Sequence, residues 1–94
     1  MDTEYLYCIT NSSGTVCKLG HSRNPELRLR QLSTGTPDQL RIAHTIAVPL
    51  GTARRWEKLL HSELGHRRAV REWFSIPVED CVAQMQWFEI HYIN

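Results

Sequence analysis

The sequence predicts a small α+β fold of the α/β kind: a three-stranded antiparallel sheet with an N-terminal hairpin, flanked by about three helices. Three observations predict it. Two short runs rich in strand formers, "YLYCIT" and "TVCKLG", are separated by the turn-forming "NSSG". "NPELRLRQLS" opens as a helix does, with Asn24 as N-cap and Pro25 in the first helical position. Two later segments carry apolar residues at helical spacing.

In chain order, residues 4 to 20 read as a β-hairpin. A symmetric loop of two or four residues places Tyr7 directly across from Lys18. Strand alternation then puts Leu6, Cys8, Cys17 and Leu19 on a core face and Tyr5, Tyr7, Lys18 and Gly20 on a polar one. The first helix runs from Pro25 and ends at "STGTPD", and "LRIAHTIAV" (40–48) is the third strand. A second helix spans about Thr52 to Gly65, "EWFSIP" is an extended link, and Pro77 opens the last helix. Glu79 and Asp80 suit that helix's first turn, where the dipole favours acids. Its stripe Val78, Cys81, Val82, Met85, Phe88 and Tyr92 is a core face, with Trp87 opposite.

The chain has 94 residues, is 41% hydrophobic and carries a net charge of +1. One domain, 1–94, follows from that length, with a modest core and no room for a separate recognition domain. No apolar run is long enough to span a bilayer, "MDTEYLY" has acids where a signal peptide is basic, and three cysteines lack framework spacing. A cytoplasmic protein without a membrane partner is therefore expected. All eleven Lys and Arg lie between Lys18 and Arg71, a segment of net charge +7. Such a basic centre suits phosphates, and equally a solvated surface.

Several residues stand out chemically. A lysine beside Tyr7 favours the phenolate over a reference pKa of about 10, biasing Tyr7 toward a base, although a cross-strand aromatic–lysine pair needs no such purpose. Arg28 lies at the edge of the first helix's stripe of Pro25, Leu29 and Leu32, while Arg30 points away. In the second helix Glu57 falls on the apolar face with Ala53, Trp56, Leu60 and Leu64, and His61 follows one turn on. A carboxylate there needs a partner: a salt bridge to Arg28, or a hard cation such as Mg²⁺.

"YLY", then "CITNSSGTVC" and "KLG", resembles the two-strand signature of the GIY-YIG nuclease superfamily. Tyr7 matches the tyrosine of the first motif, Gly20 the glycine of the second, Arg28 the helix arginine and Glu57 the metal-binding glutamate. The similarity is closest to a compact phage and bacterial branch with a "KIG"-type second motif, "NP..R....L", "E...H" and "EWF", and it covers residues 5 to 76. Three departures stand. Lys18 replaces the second tyrosine, Glu72 occupies the region of a family asparagine, and Leu32 replaces a second base.

The resemblance implies a Mg²⁺- or Mn²⁺-dependent endonuclease acting on DNA. Tyr7, helped by Lys18, takes a proton from water, Arg28 clamps the phosphate and Glu57 holds the metal. His21, Arg23 and His61 are nucleic-acid contacts or solvated polar groups in equal measure. A homodimer or a separate targeting protein supplies the sequence readout that so small a domain lacks. The competing reading is a weak or inactive module of the same fold that binds nucleic acid or protein. A zinc site from His61, His66, Cys8 and Cys17 is a third, against which stands the absence of a C-x₂-C knuckle. His44, on the apolar face of strand three, reads as a satisfied core histidine.

Overall fold

The hairpin forms as expected, but its loop is longer. The computed structural model describes residues 2–65, 68–70 and 73–94, and there β1 (Thr3–Thr10) and β2 (Cys17–Ser22) pair antiparallel. The Asn11 side-chain oxygen accepts from the backbone N–H groups of Thr15 (2.9 Å) and Val16 (3.3 Å), and Gly14 turns the chain with φ 68°. Those contacts make a six-residue loop and move the register by two. Tyr7 consequently pairs with Gly20, and Lys18 with Ile9, correcting the expected Tyr7–Lys18 pair. A shift of two preserves the faces, so the assignment of side chains to each face stands.

Helix α1 (Pro25–Ser33) starts where Asn24 accepts a hydrogen bond from the Leu27 N–H at 3.1 Å. Strand β3 (Arg41–Pro49) pairs with β1, and α2 (Ala53–Glu63) follows the turn at Gly51. The short strands β4 (Arg68–Val70) and β5 (Trp73–Phe74) then extend the sheet to the order β3-β1-β2-β5-β4, all antiparallel. The expected three-stranded sheet is thus five-stranded. Trp73 and Phe74, expected as a link, pair with Lys18 and Cys17 because Phe74 belongs to the core.

Helix α3 (Val78–Phe88) passes into a π-helical turn at Glu89–Ile93. That turn leaves Tyr92 42% exposed, so it is not the core residue its spacing suggested, whereas Trp87 is exposed as expected.

Leu6, Cys8, Cys17, Leu19, Ile46 and Val48 meet Ala53, Leu60 and Leu64 of α2 and Cys81, Met85 and Phe88 of α3. This is the core. Helix α1 packs on β1, β2 and β3 but contributes nothing to that cluster, so it covers the opposite face, where Tyr7, Ile9 and Lys18 are buried. Among the described residues no helix is long and apolar enough to cross a membrane.

The start of α2 is fixed from β1. Thr52 makes no side-chain cap, and the Glu4 carboxylate instead accepts from the N–H groups of Gly51 (2.7 Å) and Ala53 (3.3 Å). A negative charge there also suits the helix dipole. Glu4→Ala is expected to lower stability by about 1 kcal/mol, measured by urea unfolding, by removing the side-chain acceptor at the start of α2.

Candidate functional site at the outer edge of β2

Strand β5 pairs with β2 only at Cys17 and Lys18, so the described β2 pairing on that side stops before Leu19. Side chains from both faces of the sheet converge on the next three residues.

At Leu19, the carbonyl accepts a hydrogen bond from His61 Nε2 at 2.8 Å. The imidazole also packs edge-on against Phe74, with ring centroids 5.2 Å apart, which fixes its plane. At Gly20, the Tyr7 ring lies across the backbone from the neighbouring strand. A Cβ at position 20 would stand 2.6 Å from Tyr7 Cζ and collide with the phenol oxygen. Glycine is required there by that close approach rather than by backbone twist. At His21, Nδ1 meets Glu57 Oε1 at 2.6 Å. Because a carboxylate accepts, Nδ1–H donates, and Nε2 is left to accept a proton or meet a ligand.

Glu57 therefore sits between two histidines. Its Oε1 is held by His21, and its Oε2 lies 4.0 Å from His61 Nε2. Leu19 and His21 alternate on the face that α2 covers, which is why Glu57 and His61, one helical turn apart, reach that strand. The sequence reading ends the hairpin at Gly20, so His21 is not placed on that face and its pairing with Glu57 is not expected from it.

Lys18, buried at 7% exposure, places Nζ 5.6 Å from the Trp73 ring centroid, a cation–π distance. It shares a face with Tyr7 and lies diagonal to it. Arg28, on α1, meets Gln31 at 3.5 Å. The salt bridge considered for Glu57 and Arg28 does not form, because α1 and α2 lie on opposite faces of the sheet and the carboxylate is engaged by His21. Arg23 is exposed two residues beyond His21. Glu72 and His66 lie outside the described residues.

One partly exposed carboxylate, whose Oε2 accepts no hydrogen bond among the described residues, is a ligand that fits a hard divalent cation completed by water and phosphate oxygens. Fold and site together define a compact α+β domain with a glutamate–histidine cluster at a strand edge, and a phenol crossing that edge from the other face. The family model of the T5orf172 domain matches residues 4–91, and the chain belongs to that family. The match corrects the resemblance to the GIY-YIG superfamily: the family model that fits is the T5orf172 domain, and no GIY-YIG family model matches. The T5orf172 domain is a nuclease-like or DNA-binding domain. No curated protein and no solved structure matches the chain.

Proposed function

We propose that this domain is a divalent-metal-dependent endonuclease that hydrolyses DNA phosphodiester bonds at the outer edge of β2. The observation that carries this reading is the convergence of Tyr7, His21, Glu57 and His61 on Leu19–His21. Membership of a nuclease-like family supports nucleic acid as the partner.

Each residue has a role suited to its chemistry. Glu57 would hold the ion, with His61 beside it, and Mg²⁺ or Mn²⁺ would supply positive charge against that building on the phosphate and leaving oxygen. Tyr7 takes the proton from the attacking water, with Lys18 diagonal to it on the same face. Glu57 orients His21 so that Nε2 faces the phosphate. Arg28 supplies the forked donors that stabilise the pentavalent phosphate, and Arg23 contacts the adjoining backbone. A second copy or a targeting protein provides base readout, and three free cysteines suit a cytoplasmic setting.

One observation favours the alternative of a binding module. The 2.6 Å contact to His21 satisfies Oε1 without a metal. The deciding experiment compares plasmid and oligonucleotide cleavage in Mg²⁺ or Mn²⁺ by the wild type, Glu57→Ala and Tyr7→Phe. Cleavage by the wild type that both variants lose supports the nuclease. Equal activity in all three assigns the cutting to another site or a contaminant. DNA binding without cleavage in any of them makes the domain a binding module.

A further inference from the structure

Three cysteines from three elements meet in the core. Cys8 of β1, Cys17 of β2 and Cys81 of α3 are each fully buried, and their sulfurs all lie within 4.8 Å of one another. Cys8 Sγ and Cys81 Sγ are 3.5 Å apart. Taken singly, each thiol is explained as a small apolar filler.

His44 is not explained in that way. It stands on β3 directly opposite Cys8, so both side chains leave the sheet on the same face, and α3 packs against both β1 and β3. Its Nε2 is buried and has no hydrogen-bond partner, which corrects the reading of a satisfied core histidine. A buried polar atom left unpaired is costly, and an ion is one of the few things that accounts for it.

We propose that Cys8, Cys17 and Cys81 form a structural zinc site inside the core, separate from the edge of β2, and that His44, whose ring nitrogens do not lie within 4.8 Å of all three sulfurs, turns in as the fourth ligand. Three thiolates and one imidazole are a recognised tetrahedral set for Zn²⁺, and Zn–S bonds of about 2.3 Å place sulfurs about 3.8 Å apart. The sulfurs stand close to that spacing already, 3.5 Å at the Cys8–Cys81 pair and within 4.8 Å throughout. Soft thiolates select such an ion over Mg²⁺, so the two sites divide the metals by chemistry. The ligands come from four separate elements, so no knuckle spacing announces them.

Full burial means the ion enters as the chain folds. It must displace the thiol protons, because zinc binds thiolates. Loading therefore weakens as the pH falls.

The test uses the full chain, purified under reducing conditions from zinc-supplemented cells. Elemental analysis is expected to find one zinc per chain in the wild type and in Glu57→Gln, and less than a tenth of that in Cys17→Ser and Cys81→Ser. Cobalt exchanged into the wild type should show thiolate-to-cobalt charge transfer and tetrahedral d–d bands, the former reduced in the cysteine variants and the latter altered in His44→Phe. Removing the metal should lower Tm by about 10 °C or more, and equimolar zinc should restore it. Should the variants fail to fold, the zinc response of the wild-type Tm decides. The proposal is overturned by zinc-free protein whose Tm ignores added zinc, by zinc that persists in the cysteine variants, or by a Cys8–Cys81 disulfide in the reduced preparation's place.

Discussion

Gly20→Ala is expected to destabilise the domain by about 2–3 kcal/mol and to abolish most of its cleavage. The added methyl would stand 2.6 Å from Tyr7 Cζ, and Tyr7 is only 2% exposed, so the ring has no open space to turn into. Either the phenol leaves its place or β1 and β2 separate at their centre. A double-mutant cycle isolates the cause. Tyr7→Ala removes the ring that the methyl strikes, so Gly20→Ala should cost much less in that background, with a coupling energy of about 1–2 kcal/mol in urea unfolding. Equal costs in both backgrounds would mean that glycine is needed at position 20 for some other reason.

Glu57→Gln is expected to reduce Mg²⁺-dependent cleavage by roughly two orders of magnitude or more while leaving stability nearly unchanged. Glutamine keeps the shape and an oxygen that can still accept from His21, but it has no charge to offer a hard cation. The carboxylate has two duties, orienting His21 and meeting the ion, and this substitution separates them. Parallel assays of DNA binding and urea unfolding check that only the chemistry is lost. A variant that cuts at the wild-type rate would leave Glu57 as a structural partner of His21 and nothing more.

These residues also show what the sequence made legible. Asn24, Pro25 and Pro77 mark helix starts by local chemistry, and the helices begin at Pro25 and Val78. Strand alternation depends only on parity, so the faces of the hairpin followed even though its register did not. The register itself turned on Asn11 folding its side chain back onto Thr15 and Val16, a tertiary choice among loops that "NSSG" permits. Strands β4 and β5 were missed for a related reason: two or three residues carry no period, and they become strands only because β2 offers an edge.

The site divides in the same way. Tyr7, Gly20, His21, Glu57 and His61 could each be singled out by type and position. What joins them is the meeting of both sheet faces at one strand edge. The thiol cluster was hidden because Cys81 sits in an apolar helical stripe, where a cysteine reads as packing.

The central claim, that the edge of β2 at Leu19–His21 binds a catalytic divalent ion, is tested most directly by titrating Mn²⁺ into isotope-labelled protein and following paramagnetic broadening by NMR. Signals of Leu19, Gly20, His21, Glu57 and His61 should broaden first, and Glu57→Gln should keep them sharp at the same Mn²⁺ concentration. Broadening centred on another acid, such as Asp38 or Glu79, with Leu19–His21 left sharp, would contradict it.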